Sequence, residues 1–310
     1  MKRLLIIPLL MAVLTASYAQ DYSTLTEDNH PRLLMNDSTF GQMKSALNDG
    51  RHGYLEAMNG IIMHIADSLS RTTDPIEFLF DSSNKRILHQ SRKAMTRIFY
   101  CAYAYRMTGE ERYLTHAEKD IMQVCAFPNW NPPHFLDVAE MAVAVGLGYD
   151  WLYRDLSEEC RSTAREALME KAFAPSTDEE VNWFYYNEGN WNQVCNAGLS
   201  VAALATYEHC DTTATRIIED AVRTNRPIME KIYAPDGNYA EGPDYWSYGT
   251  MFQALMLTSF ETVLGTDFGL GDAEGFGRTP EYLILTRGAT HLQVNYYDNG
   301  AQETAAYPLW

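Results

Sequence analysis

Apolar residues recur along most of the chain at intervals of three and four positions, a spacing typical of helices that bury one face. The spacing is clearest over residues 87–102 and 217–232, and Pro227 predicts a kink in the second segment. The same pattern predicts further helices at 40–47, 54–70, 110–125, 135–153, 158–173, 192–207 and 246–264.

Polar residues that commonly open helices support this pattern. A Thr followed three positions later by Glu, or a Ser before two Glu, predicts helix starts at Thr108, Thr177 and Ser157. Strict alternation of apolar and polar residues is nearly absent, and only 283–285 and 292–296 are weak strand candidates. The sequence therefore predicts an all-α protein of stacked helical hairpins, and its 20 Tyr and 6 Trp favour a toroid of paired helices.

The first 19 residues have the composition of a secretory signal. Lys2 and Arg3 precede an apolar run over 4–15, and the small residues Ser17 and Ala19 fit a cleavage site. The run is too short for a membrane-spanning helix. We therefore expect cleavage after Ala19, export to the periplasm or the medium, and a single domain over 20–310.

Net charge limits the partners that the protein can bind. The chain carries 24 Lys and Arg against 41 Asp and Glu, a formal charge of −17. Because such a surface repels polyanions, we expect neither a nucleic-acid nor a membrane partner. An acidic polysaccharide would need cations gathered in one cleft, and the densest basic run consists of Arg86, Arg92, Lys93 and Arg97.

Cysteines and glycine motifs indicate no cofactor. The 5 Cys include no CxxC pair, which excludes a disulfide framework, allows one disulfide and indicates no zinc site. Cys101 and Cys195 lie in apolar helical patterns and are expected to be buried thiols. The chain has neither a glycine-rich phosphate loop nor a GxSxG motif.

Aromatic residues cluster in predicted loops and at helix ends. The clusters lie at 130–133, 183–186 and 245–248. A single ring of this kind usually fills a gap between helices. Clustering around loops favours a surface on which sugar rings stack.

Two segments carry most of the chemical information. Residues 187–199 place carboxamides at the start of a predicted helix, and these could bind a substrate carboxylate without adding charge; they are Asn190, Asn192, Gln193 and Asn196. Residues 236–249 contain two turns and then Tyr245 at the start of another helix. The positive end of that helix dipole is expected to stabilise a phenolate and lower the cost of ionising Tyr245.

These two segments, together with 30–34, 134–137 and 149–152, resemble the heparinase II/III-like polysaccharide lyases. The resemblance implies an incomplete α/α toroid followed by a β-sandwich, and cleavage of uronate glycans by β-elimination. It assigns the acid/base role to Tyr245 and neutralisation of the uronate carboxylate to Asn190. The residues expected to bind substrate around them are Trp191, Asn192, Gln193, Glu241, His134, Trp246 and Tyr248.

The chain departs from the family pattern in two places. Trp191 stands where many members have a His after the Asn, which favours Tyr245 as both base and acid, with syn stereochemistry. The chain ends at Trp310, where the resemblance would place the sandwich and its catalytic His. We therefore expect the toroid without its sandwich, and whether this part is active alone stays open.

Two other function classes remain open. An α/α-toroid glycoside hydrolase would use two carboxylates, Asp137 or Glu140 with one of the acids Asp236, Glu241 and Asp244. A non-catalytic glycan-binding protein would need neither. His134, Asp137 and Glu140 are spaced by three and could bind a metal, but a helix start explains them more simply, so no metal is expected.

Overall fold

The computed structural model describes residues 20–83, 85–290 and 292–302. The predicted secretory signal lies outside the described residues. Within these ranges the chain forms ten α-helices and no β-strand. The helices are α1 (Asp37–Asn48), α2 (Gly53–Leu69), α3 (Leu88–Thr108), α4 (Glu111–Cys125), α5 (Phe135–Leu152), α6 (Glu158–Leu168), α7 (Asn190–Ala205), α8 (Asp211–Ile232), α9 (Pro243–Leu264) and α10 (Thr279–Leu285).

The helices pack as an arc of hairpins, which confirms the all-α toroid architecture. Helices α3, α5, α7 and α9 form a row in which each packs against the next. Helix α4 packs against α3, α6 packs against α4 and α5, and α8 packs against α7. All of α5 is buried, and so is α7 apart from Trp191. The row therefore contains the core and presents its helix starts at one end.

Small residues allow α5 and α7 to pack closely. A Cβ atom on Gly198 would lie 2.4 Å from the Ala139 carbonyl oxygen, and one on Gly146 would lie 3.0 Å from Ala202 Cα. Only glycine therefore fits at Gly198 without moving the neighbouring backbone.

Most predicted helices are confirmed, with ends that differ by a few residues. Ser157 caps α6 as predicted, because its side chain accepts a hydrogen bond from the Cys160 N–H. The predicted 158–173 helix changes at Met169 into a π-helical turn. Helix α8 continues through Pro227.

Two predicted helix starts and both strand candidates are wrong. Thr108 ends α3, and its hydroxyl donates to the Ala104 carbonyl oxygen. Thr177 ends a short 3₁₀ turn and bonds back to Ala174 in the same way. Residues 283–285 belong to α10, and 292–296 form only isolated bridges, because the described part of the chain offers neither segment a partner strand.

A buried ionic cluster attaches the 30–34 segment to the helical row. His30 lies between two carboxylates, with Nδ1 2.6 Å from Asp150 Oδ1 and Nε2 2.9 Å from Glu208 Oε1. Asp150 also accepts the backbone N–H groups of Arg32 and Leu33. The motif that contributed to the family resemblance is thus a structural anchor here.

The structure also shows the state of the cysteines and the character of the helices. All five cysteines are free, and Cys101 and Cys195 are buried as predicted. None of the helices in the described ranges is both long enough and apolar enough to span a bilayer.

Candidate active site

A cavity of about 590 Å³ opens where α3, α5, α7 and α9 meet. This volume is within the usual range for small-molecule sites. Its polar and aromatic lining consists of Arg86, Arg92, Thr96, His134, Glu140, Trp191, Asp244, Tyr245 and Tyr248, and its apolar lining of Leu88, Met95, Leu136, Met251 and Phe252. Four predicted site residues therefore line one cavity: Tyr245, Tyr248, His134 and Trp191.

Glu241 joins the two segments that the sequence singled out. It accepts the Asn190 backbone N–H at 2.6 Å and the Asn190 side-chain amide at 3.0 Å. A carboxylate at this point also interacts favourably with the N-terminus of α7. A side chain at Gly189 would collide with Glu241, because its Cβ would lie 2.5 Å from the carboxylate.

The turn before α9 fixes the position of Tyr245. Gly242 has φ of 88°, a conformation that glycine adopts without strain, and Pro243 then occupies the first helical position. The helix therefore starts three residues before Trp246, the predicted first residue of this helix. This places Tyr245 in the first turn, facing the cavity.

The Tyr245 phenol is harder to ionise than the sequence suggested. Its hydroxyl donates to Asp298 Oδ2 at 3.0 Å. Partial burial and then the Asp298 carboxylate raise the pKa of Tyr245, while Arg86 acts in the opposite direction. The expectation that the helix dipole favours the phenolate is therefore wrong, because burial and a nearby carboxylate outweigh it.

The second cavity phenol is held by a buried acid. The Tyr248 hydroxyl donates to Glu140 Oε1 at 2.5 Å, and Arg92 Nε lies 3.1 Å from the same oxygen. The Arg92 guanidinium also lies over the Tyr248 ring, 5.2 Å from its centre. Burial and the Glu140 carboxylate hold the pKa of Tyr248 well above its usual value. Tyr248 is thus a fixed hydrogen-bonded phenol, and Tyr245 is the more accessible one.

His134 is held by an aspartate and packs against an aromatic pair. Its Nδ1 lies 2.7 Å from Asp137 Oδ1, and its Nε2 has no hydrogen-bond partner among the described residues. The ring meets Trp191 edge-on at 4.9 Å, and Trp191 packs on Trp183 at 4.4 Å. The predicted aromatic surface therefore exists, with Trp191 in the cavity and Trp183 43% exposed beside it.

The carboxamide run of α7 lies inside the protein and not in the cavity. Asn192 accepts the Asn225 amide at 3.1 Å, and Asn225 and Gln253 exchange two hydrogen bonds of 2.9 Å. Gln193 donates to the Tyr233 hydroxyl and accepts the Tyr239 hydroxyl. These amides tie α7 to α8 and α9, so direct contact of Asn192 or Gln193 with substrate has no support here.

Three other predicted site residues lie outside the cavity lining. Trp246 is buried, and its Nε1–H donates to Thr279 at 2.7 Å. Asn190 is 2% exposed, and Glu241 occupies its side-chain N–H group. As this structure stands, Asn190 and Glu241 position the segment, and the cavity offers other groups to a substrate.

The basic run divides between the cavity and the helix surface. Arg86 and Arg92 line the cavity. Lys93 pairs with Asp74, and Arg97 pairs with Asp120. Two of the four predicted basic residues therefore lie where an acidic ligand could bind.

Two of the predicted hydrolase acids line the cavity. Glu140 and Asp244 are in the lining, whereas Asp236 is exposed outside it. Asp137 is fully buried behind His134 and also accepts the Ile87 N–H and the Asn131 amide. In the part of the chain that the structure describes, no cluster of His, Cys, Asp and Glu could hold a metal ion.

One residue of the site gave no signal in the sequence. Asp298, which accepts the Tyr245 hydroxyl, lies in a turn-forming Asp-Asn-Gly segment far along the chain. Such a segment predicts only a turn, and its approach to α9 depends on the tertiary fold.

Comparison with known proteins adds one similarity. No protein-family model matches the chain. Over 272 residues the chain is 23% identical to an exo-oligoalginate lyase of Saccharophagus degradans. This alignment covers 82% of the chain but 36% of that protein's length. The similarity supports a polysaccharide lyase in general and does not confirm the heparinase II/III-like resemblance.

Proposed function

We propose that the protein is a polysaccharide lyase that cleaves a uronate glycan by β-elimination, with Tyr245 as acid and base. The observation that carries this proposal is the cavity that contains Tyr245, because it combines an accessible phenol with aromatic walls and arginines. The similarity to an exo-oligoalginate lyase makes alginate oligomers the first substrate to test.

In this reaction Tyr245 acts first as a base and then as an acid. As phenolate it takes the hydrogen from the carbon next to the uronate carboxylate, and the electron pair left behind forms a C=C bond. The glycosidic C–O bond breaks, and the Tyr245 hydroxyl returns the proton to the leaving oxygen. Trp191 occupies the position of the family's imidazole, so one residue in both roles remains the simplest assignment.

The hydrolase alternative is less well supported by the contacts. Glu140 is fully buried and is already bound to Arg92 and Tyr248. A hydrolase would need this acid free to protonate a leaving oxygen or to activate water.

A product assay separates these classes. We expect the protein to convert alginate oligomers into products with the ultraviolet absorbance of a C=C bond conjugated to a carboxylate. New reducing ends without that absorbance would indicate hydrolysis. Binding without any product would indicate a glycan-binding protein.

A further inference from the structure

The cavity contains two arginines, and among the described residues only Arg92 has an ion-pair partner. Arg92 forms an ion pair with Glu140 at 3.1 Å and covers the Tyr248 ring. Among the described residues, the Arg86 guanidinium forms no ion pair and no hydrogen bond, although Arg86 lines the same cavity. A half-buried cation without a partner is a ready site for an anion.

Asn190, the residue expected to neutralise the substrate carboxylate, is poorly placed for this role. It is 2% exposed and does not line the cavity. Its side-chain N–H group lies 3.0 and 3.2 Å from the two oxygens of Glu241. A substrate carboxylate would have to displace Glu241 to reach it, and its own charge would be repelled by that acid.

We propose that Arg86 binds the carboxylate of the sugar that loses its hydrogen, and that Asn190 only positions the segment. This inference rests on the proposed lyase function and names the residue that recognises the acid. A guanidinium can hold both carboxylate oxygens, which neutralises the charge that opposes proton removal. It also stabilises the negative charge that develops on those oxygens as the carbon loses its hydrogen.

The position of Arg86 relative to the proposed base supports this assignment. The positive charge of Arg86 lowers the pKa of Tyr245 against the combined effect of burial and Asp298. One guanidinium in the cavity would thus act on both partners of the proton transfer, making the carbon acid stronger and the phenol easier to ionise.

The test compares an acidic substrate with its neutral ester. Arg86→Gln removes the charge and keeps a polar side chain, and Arg86→Lys keeps the charge without the two-point geometry. We expect Arg86→Gln to lower kcat/KM for an oligouronate by about 10²-fold or more. For the methyl ester of the same oligomer, which has no carboxylate charge, we expect Arg86→Gln to lower kcat/KM by less than about 10-fold. On the acidic substrate, the kcat/KM of Arg86→Lys should lie between those of the wild type and Arg86→Gln.

A matched control and a binding measurement keep the outcomes distinct. Arg71 is 68% exposed and pairs with Asp67 outside the cavity, so Arg71→Gln should leave kcat/KM unchanged for both the acid and the ester. Calorimetric binding is measured in a Tyr245→Phe background, where turnover should be at least about 10²-fold slower, and Arg86→Gln should weaken binding of the acid but not of the ester. Equal effects on acid and ester, or none, would overturn the role of Arg86. Absence of any unsaturated product from the wild type, with the binding preference intact, would instead overturn only the lyase function.

Discussion

Charges of both signs act on the Tyr245 phenol. The Asp298 carboxylate accepts its hydroxyl at 3.0 Å and, with burial, raises the pKa of Tyr245, whereas Arg86 lowers it. A Glu241 carboxylate nearby adds to the rise. The net effect raises the pKa of Tyr245 and favours its protonated form, which is the form that the proposed return of a proton requires.

Removal of this hydroxyl tests its chemical role. Tyr245→Phe should lower kcat on an oligouronate by about 10²-fold or more, the usual range for loss of an acid–base group. The free energy of unfolding should change by less than about 1 kcal/mol, because only one exposed hydrogen bond is lost. Tyr186→Phe, at a ring that is 76% exposed, is the matched control. Full activity of Tyr245→Phe would exclude it as acid or base.

The pH dependence of the reaction tests the electrostatic argument. A base with a raised pKa becomes active only as the pH rises toward that pKa. Asp298→Asn removes a charge that raises the pKa of Tyr245, so the rising limb of kcat/KM against pH should move to lower pH. A limb that stays in place or moves to higher pH would show that another group controls proton removal.

At the scale of helices, close packing of α5 against α7 sets the position of the cavity. A Cβ on Gly198 would lie 2.4 Å from backbone oxygen, whereas a Cβ on the exposed Gly60 of α2 meets nothing within 4 Å. Gly198→Ala should therefore lower the free energy of unfolding by about 1–3 kcal/mol. Gly60→Ala should raise it by about 0.5–1 kcal/mol, because alanine favours a helix. Chemical denaturation of both variants measures the difference, and equal effects would contradict the packing.

Contact between the two helix starts can be tested through Glu241. Glu241→Ala removes the acceptor for both Asn190 donors and the favourable charge at the start of α7. The free energy of unfolding should fall by about 1–3 kcal/mol. If Glu241 instead bound substrate directly, the variant would lose substrate affinity without losing stability.

At the scale of the whole molecule, the His30 cluster attaches the beginning of the described chain to its core. Burial opposes ionisation of Glu208, but hydrogen bonding from His30 and the Arg32 charge hold its pKa at about 2. The lowered pKa of Glu208 stabilises the fold at pH values above its ordinary pKa of 4.5, and this stabilisation is lost as the pH falls toward 2.

The cluster therefore predicts a pH-dependent stability difference. Glu208→Gln should lower the free energy of unfolding by a few kcal/mol at neutral pH, and the loss should shrink on acidification. Glu170→Gln, at a side chain that is 76% exposed, is the control and should change little. A loss that is independent of pH would assign the effect to packing.

The sequence predicted the helices well because their apolar periodicity is local information. It predicted Tyr245, Tyr248, His134 and Trp191 as site residues, and the fold brings them to one cavity. The sequence could not distinguish buried amides from catalytic ones. The amides that bond to Asn192 and to each other lie on α8 and α9, and only the fold brings them next to α7. The contact between Asp298 and Tyr245 also depends on long-range packing, so the sequence could not predict it.

We propose that the chain breaks a glycosidic bond by removing a proton and not by adding water. Reaction of an alginate oligomer in water enriched in heavy oxygen tests it directly, with mass spectrometry of the products. We expect fragments that carry no heavy oxygen and whose masses sum to that of the substrate. Products whose masses sum to that of the substrate plus one water, with the heavy oxygen at the new reducing end, would contradict this proposal.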